Sequence, residues 1–325
     1  MLPSFKLLAT LALASFALSP LAADKYPDPA RTIRVVVQFP PGGTSDVVAR
    51  AMVPRLSKEL GTTLIVENRA GAAGNIGAES VAKAKPDGYT ILLANNVVVT
   101  NPAAGKVPYD VIADFAPIAM VGSIPIALAV HRSVPVNSVA ELIDFIKKNP
   151  GKHAFSSCGS GTAQHLAGEL LKRQAGLDIV HAPYRGCAPA VADGISGQVP
   201  ILFNAISNVQ AHAKEGGALK ILAVASAERS SADKSIQTIA EAGIRNFDAQ
   251  VWFGFMAPAQ TPPEVLVKWE RAIAAAMRDP EVRKQLAAIS FDAKFTGSKQ
   301  FAGVIASDLV KWSRLITEAQ IKVTN

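Results

Sequence analysis

Phe39-Pro-Pro-Gly-Gly-Thr-Ser-Asp46 is the stretch around which this chain is organised. It follows the β-branched run Ile33-Arg-Val-Val-Val-Gln-Phe39, which is typical of a buried strand, and precedes Val47, where a helical pattern begins. Gly42 and Gly43 permit a sharp turn, and the residues after them suit a helix cap. Such a turn sets free backbone N–H groups at the positive end of a helix dipole, which favours a carboxylate or phosphate. An ordinary β–α turn is the alternative.

The composition predicts a globular protein with room for two domains of ordinary size. The chain has 325 residues, of which 49% are hydrophobic and 18% are charged. Aromatic residues make up only 6%, and Lys and Arg form no basic block, which argues against a nucleic-acid-binding protein. The formal net charge of +7 indicates a mild attraction for anionic ligands.

Residues 1–23 have the pattern of a secretory signal peptide. Lys6 supplies a positive start, an apolar run extends from Leu7 to Leu18, and Leu21-Ala-Ala23 offers a cleavage site. The apolar run is too short to span a bilayer. We therefore expect export and a soluble mature chain that begins near Asp24.

The plan of strand, glycine turn and helix recurs along the chain. Residues 68–77 follow a second strand, and residues 158–162 and 183–189 follow strands of the second half. A third early strand ends at Asn95-Asn96, where open α/β sheets bind ligands. This alternation predicts an α/β protein with parallel sheets flanked by helices.

The pattern restarts near the middle of the chain, which predicts two domains. We expect residues 24–123 together with 248–325 to form domain I, and residues 124–247 to form domain II. Two domains that face each other would bring four helix N-termini to one cleft, which favours an anion site. None of the four turns contains Lys, so binding would rest on backbone N–H groups and hydroxyls. Arg69 and Arg185 are nearby cations, each with a solvated surface position as the alternative.

The two cysteines lie in glycine-containing loops. Cys158 belongs to residues 156–162 and Cys187 to residues 184–189. In an exported protein a disulfide between them is reasonable if the loops meet, and a catalytic thiol is the alternative. Free-thiol titration of the unfolded, unreduced chain distinguishes the two.

Catalytic motifs are lacking in the sequence. His153, His165 and His181 do not have the spacing of metal ligands, and no G-x-S-x-G elbow surrounds Ser156 or Ser157. There is no P-loop or complete dinucleotide fingerprint. We predict no enzyme activity, no metal and no cofactor. An exported hydrolase or transferase that depends on Ser157 or Cys158 is the alternative.

Several motifs are distinctive in combination. They are Tyr26-Pro-Asp-Pro-Ala-Arg-Thr-Ile-Arg-Val-Val-Val37, Phe39 to Asp46, Glu67-Asn-Arg-Ala-Gly-Ala-Ala-Gly-Asn75, Pro86-Asp-Gly-Tyr-Thr90, His165-Leu-Ala-Gly-Glu-Leu170, Pro183-Tyr-Arg-Gly186 and Phe255-Met-Ala-Pro-Ala259. With the expected export signal, the chain resembles the Bug family, the solute receptors of tripartite tricarboxylate transporters. The likeness covers essentially all of the mature chain.

The resemblance implies a fold and a function. The fold is the two-domain type II periplasmic binding protein fold, in which each domain is a mostly parallel sheet flanked by helices and the ligand cleft lies between them. The function is that of a monomeric periplasmic receptor that binds a small carboxylate or dicarboxylate, without nucleic acid, and delivers it to membrane permease subunits. An orphan receptor that signals to a sensor partner is the alternative.

The resemblance also implies ligand-binding residues on both sides of the cleft. In domain I, backbone groups and water on two loops would hold the carboxylate, at Pro41, Gly42, Gly43, Thr44, Gly71, Ala73, Gly74 and Asn75. Phe39, Asp46 and Asn96 are the other ligand-binding residues implied for this domain, and Asn96 would face the rest of the ligand. In domain II, side chains would set the specificity, at Ser156, Ser157, Gly159, Thr162, His165, Tyr184, Arg185 and Asn204. A contact with Arg185 would favour a dicarboxylate or acidic amino acid, whereas Trp252 and Phe253 would favour an aromatic acid if they line the cleft.

Overall fold

A computed structural model describes residues 26–231 and 233–321 of the chain. The predicted signal peptide lies outside these residues. Two separate sheets, each covered by helices, form the described part of the molecule. None of the described helices is long and apolar enough to cross a bilayer.

The first sheet has six strands in the order β11-β4-β10-β3-β1-β2. We call this sheet, with the helices that cover it, the first lobe. Its strands are β1 (Ile33–Val37), β2 (Leu64–Asn68), β3 (Thr90–Asn95), β4 (Phe115–Ile124), β10 (Val251–Pro258) and β11 (Asp292–Gly297). Its helices are α1 (Thr44–Leu60), α2 (Asn75–Ala82), α3 (Val97–Ala104), α8 (Pro263–Ala276), α9 (Pro280–Ala287) and α10 (Ser298–Glu318).

The second sheet has five strands in the order β7-β6-β8-β5-β9, and with its helices it forms the second lobe. Its strands are β5 (Ile126–His131), β6 (Ala154–Ser157), β7 (Val180–Pro183), β8 (Ile201–Ala205) and β9 (Leu219–Val224). Its helices are α4 (Val139–Lys147), α5 (Ala163–Ala175), α6 (Cys187–Ser196) and the short α7 (Ile206–Val209).

Strand β1 shows why the first sheet needs helices on both faces. Val35 and Val37 pack in one core cluster with Trp269 of α8, whereas Val36 belongs to the cluster that contains Val98 of α3. Successive side chains of a strand point to opposite faces, so an unbroken valine run is stable only when both faces are covered. The buried strand that the sequence predicts before the glycine turn is therefore confirmed.

The chain crosses between the sheets with almost no linker. Strand β4 of the first sheet ends at Ile124 and β5 of the second begins at Ile126, with Pro125 between them. The return crossing enters β10, and just before it Ala249 N–H donates to the carbonyl of Ala225 at 2.7 Å. The crossing strands run antiparallel to their neighbours, so both sheets are mixed. The predicted two-domain α/β class is confirmed, but the sheets are mixed rather than mostly parallel, because the crossing strands pair antiparallel.

Three elements were not anticipated from the sequence. Helix α3 begins with three valines, which disfavour helix locally, and its packing against α10 overrides that preference. Helix α9, which Asp279 caps, was not predicted from the sequence. Strand β11 is partly exposed and carries Lys294, so it lacks the apolar run that marks a buried strand.

Candidate ligand-binding site

The loop after β1, residues 39–43, is exposed at its tip and ends at the N-terminus of α1. We call it the first glycine loop. Gly42 has φ +84°, a conformation that favours glycine, and Gly43 occupies the N-cap position of α1. Because Gly43 has no side chain, no side chain caps this helix. The first-turn N–H groups of a 17-residue helix are thus left for an external acceptor.

Asp46 lies beneath this loop rather than in open space. Its carboxylate is 4% exposed and accepts hydrogen bonds from Gly42 N–H at 3.0 Å, Asn68 Nδ2 at 3.0 Å and Arg50 Nε at 2.9 Å. The hydrogen bond from Arg50 is the main reason why the pKa of Asp46 falls to about 2. Asn68 Nδ2 also donates to the carbonyl of Phe39 at 3.0 Å. The predicted ligand residue Asp46 therefore supports the loop from below.

The loop after β2 has an unusual backbone. Residues 71–74, which we call the second glycine loop, have φ values of 128°, 46°, 53° and 93° in sequence. Two of these residues, Ala72 and Ala73, are alanines in the left-handed region, which costs free energy for any residue with a Cβ. The Gln38 side chain donates from Nε2 to the carbonyl of Gly74 at 3.0 Å and helps to fix the loop.

Asn75, the first residue of α2, faces inward. Its Oδ1 accepts hydrogen bonds from Asn101 Nδ2 at 2.9 Å and from the Tyr109 hydroxyl at 3.1 Å. Asn101 Nδ2 also donates to the carbonyl of Ala73 at 2.9 Å. The predicted ligand residue Asn75 is thus part of the network that holds the strained loop.

The first lobe presents its predicted residues at one edge. Strands β1, β2 and β3 are parallel, so the two glycine loops and Asn96 all follow carboxyl ends at the same edge of the sheet. Asn96 is 2% exposed and precedes α3. Arg69 pairs with Glu67, Nε to Oε1 at 2.6 Å, so its charge is already partnered.

In the second lobe, the loop between β6 and α5 is closed by its own hydroxyl groups. Thr162 Oγ1 accepts from His165 N–H at 3.3 Å as the helix cap and donates to the carbonyl of Gly159 at 2.7 Å. Ser157 Oγ contacts the carbonyl and the N–H of Gly159, each at 3.2 Å. His165 Nδ1 accepts from Gly161 N–H at 3.0 Å. These side chains shape the loop before any ligand arrives.

Two histidines are stacked behind this loop. The rings of His165 and His181 lie 3.6 Å apart, centroid to centroid, at 11°, and Ser157 Oγ is 2.7 Å from His181 Nε2. Burial is the main cause that lowers the pKa of His165 to about 3 and that of His181 to about 4, with nearby Lys172 adding repulsion. His181 was not predicted as a site residue, although its place on a strand next to β6 is the signal that would have found it.

The buried histidine pair makes stability dependent on pH. Because His165 stays neutral in the fold while the unfolded chain protonates it near its ordinary pKa, stability falls as pH falls below about 6.5. With a folded pKa of about 3, His165 alone is expected to lower the free energy of unfolding by about 2 kcal/mol between pH 7 and pH 5. Urea titrations at the two pH values measure this change. The variant His165→Gln should lose less free energy of unfolding between pH 7 and pH 5 than the native protein. An equal loss in the two proteins would contradict the role of His165 in this pH dependence.

A disulfide joins the two glycine loops of the second lobe. Cys158 and Cys187 are bonded, and Gly186 N–H donates to the carbonyl of Cys158 at 3.1 Å. The predicted bridge is confirmed, and neither sulfur is a free thiol. It fixes the start of α6 to the loop that opens α5.

Tyr184 and Arg185 have different surroundings in the following loop. The Tyr184 hydroxyl donates to Asp193 Oδ2 at 2.5 Å, and burial together with this carboxylate raises the pKa of Tyr184 to about 12. Arg185 is exposed and forms no ion pair with another described residue. Of the two, Arg185 has the side chain that is free to meet a ligand.

The serine and asparagine at the ends of β6 and β8 are fully buried. Ser156 Oγ has no hydrogen-bond partner among the described residues. Asn204 Nδ2 donates to the carbonyl of Cys187 at 3.4 Å, and its Oδ1 accepts from Asn208 Nδ2 at 2.8 Å. Asn204 therefore ties β8 to the start of α6 and to α7.

An open cavity of about 850 Å³ lies between the lobes. Gly42 and Gly43 form its wall on the first lobe. The facing wall consists of residues of α6 and of the segment beyond β8, namely Cys187, Ala188, Val191, Ala192, Ile195, Asn208 and His212. The structure thus brings the first glycine loop opposite the disulfide and α6, while the remaining predicted residues do not line this cavity.

The aromatic residues of the return crossing belong to the core. Trp252 and Phe253 are 1% and 2% exposed. Trp252 Nε1 donates to Asp308 Oδ2 at 2.8 Å. Of the two alternatives for this pair, the structure supports core packing.

Within the described residues, no group of three or more His, Cys, Asp or Glu side chains is placed to hold a metal ion.

Comparisons with known proteins agree with this architecture. Protein BugT of Bordetella pertussis is 35% identical over 308 residues, and the match covers 94% of each chain. A solved structure described as a periplasmic transporter is 36% identical with a TM-score of 0.74, over 90% of this chain and 99% of that chain. An R. palustris protein solved with adipate is 31% identical with a TM-score of 0.75, over 90% and 98% of the two chains.

A family profile also matches most of the chain. The family described as "Tripartite tricarboxylate transporter family receptor" matches residues 48–321, which span both sheets. The family match begins after β1 and the first glycine loop. The similarity to BugT extends over 94% of the chain and includes them. The resemblance stated from the sequence motifs is confirmed. This chain belongs to the receptor family of the tripartite tricarboxylate transporters.

Proposed function

We propose that this protein is a periplasmic receptor that binds a small carboxylate between its lobes and delivers it to the membrane subunits of a tripartite-type transporter. The observation that carries the proposal is the uncapped N-terminus of α1 at the wall of the cavity between the lobes. A helix start with free N–H groups stabilises a carboxylate without a basic side chain. The adipate bound to one relative supports this class of ligand.

The proposed mechanism is a cycle of binding and closure without a chemical reaction. In this cycle the domain boundaries predicted from the sequence, after residue 123 and after residue 247, would separate the moving lobes, with hinges at 122–125 and 249–254. The carboxylate docks on the glycine loops of the first lobe, and contacts with the second lobe stabilise the closed form. The membrane subunits then recognise that closed form. Export depends on residues 1–23.

The arrangement of Ser157 bears on the hydrolase alternative. Ser157 Oγ has a histidine neighbour in His181, as a nucleophile would, but Ser157 is fully buried. The other candidate nucleophile, Cys158, is bonded to Cys187 in the disulfide and has no free thiol. A nucleophile needs access to its substrate, so this pair is better explained as support for the loop.

Calorimetric titration of the purified protein with a panel of mono- and dicarboxylates tests the proposal. We expect saturable binding of at least one carboxylate and no turnover of ester or amide substrates. Mass spectrometry of solute released from gently purified protein would identify the natural ligand. Absence of binding across the panel, or hydrolysis that requires Ser157, would contradict the proposal. Binding without uptake through any tripartite permease would instead favour a sensor partner.

A further inference from the structure

The cavity wall that faces the first glycine loop is apolar. Four side chains of α6 form most of it, and they fall into two pairs spaced by one helical turn, Ala188 with Ala192 and Val191 with Ile195. Cys187 joins them, and its sulfur is held in the disulfide. A ligand bound to the glycine loop would therefore meet methyl and methylene groups across the cavity.

Charged side chains are missing from the same cavity. Among the described residues, no Lys, Arg, Asp or Glu lines it. Asn208 already donates from Nδ2 to Asn204 Oδ1, and His212 is an exposed residue. Arg185, which forms no ion pair with another described residue, is not part of the lining.

These two facts limit the kind of ligand that fits. One carboxylate is accommodated by the helix start at Gly43. In the closed form, a second carboxylate directed at α6 would lose water without gaining a Lys or Arg partner, which is unfavourable. An apolar body would instead gain from burial against this wall.

We infer that the solute is a monocarboxylate with an apolar body, and that Ala188, Val191, Ala192 and Ile195 select it against dicarboxylates. The inference rests on the proposed function, because it assumes that the carboxylate docks on the first glycine loop. It separates this chain from the relative solved with adipate, a dicarboxylate.

Matched acid pairs test the inference on the full mature protein. Calorimetry would compare butanoate with succinate, hexanoate with adipate, and octanoate with suberate. We expect each monoacid that binds to do so at least about tenfold more tightly than its diacid. A diacid that binds more tightly than its monoacid overturns the inference and leaves the proposed function intact. If no carboxylate of any kind binds, the proposed function fails, and the inference fails with it.

A charge placed on the wall should reverse the preference. Ala192 is exposed, so Ala192→Arg adds a cation to the cavity at little risk to folding. We expect this variant to gain at least about tenfold in affinity for adipate relative to hexanoate. Ser196→Arg is the matched control, since Ser196 is an exposed residue of the same helix outside the lining. The inference is overturned if both variants change the affinity for adipate relative to hexanoate by the same factor. It is also overturned if Ala192→Arg leaves this ratio and the melting temperature unchanged.

Discussion

The variant Gly43→Asp should lose carboxylate binding while it keeps or gains stability. The introduced carboxylate would occupy the N-cap of α1 and accept hydrogen bonds from the first-turn N–H groups that the ligand needs. It would also repel an anionic ligand at close range. We expect affinity to fall by at least about 100-fold, and the melting temperature to stay level or rise because Asp is a favoured N-cap. Calorimetry and thermal unfolding measure the two effects.

Gly43→Ala is the matched control for this change. Gly43 has φ −77° and ψ 168°, which any residue adopts, and a Cβ there would meet only the carbonyl oxygen of Pro40 at 3.6 Å. Alanine therefore adds the same first atom without a charge or an acceptor. We expect it to retain most of the affinity. Full binding by Gly43→Asp would remove the first glycine loop from the site, and equal loss in both variants would point to a steric effect.

The double variant Cys158→Ala with Cys187→Ala should be markedly less stable than the native protein. The bond links residues 29 positions apart. Without it the unfolded chain gains conformational entropy, which lowers the free energy of unfolding by about 3 to 4 kcal/mol in the chain-entropy model. The two loops would also be free to separate at the cavity wall that Cys187 helps to form. Urea titration measures the loss of stability, and calorimetry of any carboxylate that binds measures the effect on the site.

The reduced native protein is the natural comparison for this double variant. Reduction opens the same bond without removing the sulfur atoms, so both samples should unfold at lower urea than the oxidised protein. If the oxidised protein and the double variant unfold at the same urea concentration, the disulfide does not restrict the unfolded state as the model assumes.

Much of the fold follows from local sequence. The run Val35 to Val37 indicates a strand buried on both faces, and Gly42 and Gly43 indicate the turn after it, because these residue types have few other stable conformations. The sequence alone does not reveal that Ala72 and Ala73 are left-handed, since alanine rarely takes that conformation and only the surrounding hydrogen bonds fix it.

The parts of the site that were missed depend on partners distant in sequence. His181 meets Ser157 across 24 positions because β6 and β7 pair in parallel, and the register of that pairing is not written in either segment alone. The role of Asp46 depends likewise on Asn68, which reaches it because β1 and β2 are neighbours. Residue type identified these groups as polar and near the glycine loops. Strand pairing determined what each one contacts.

The carboxylate of Asp46 has a consequence for transport. It already satisfies the N–H of Gly42, so the first glycine loop is held around an anion that belongs to the protein. Since the pKa of Asp46 is about 2, that internal anion keeps its charge at and well below neutral pH. The support that Asp46 gives to the first glycine loop should then be insensitive to acidity near neutral pH. Any dependence of binding on pH would then come from other groups, such as the stacked His165 and His181, or from the solute itself.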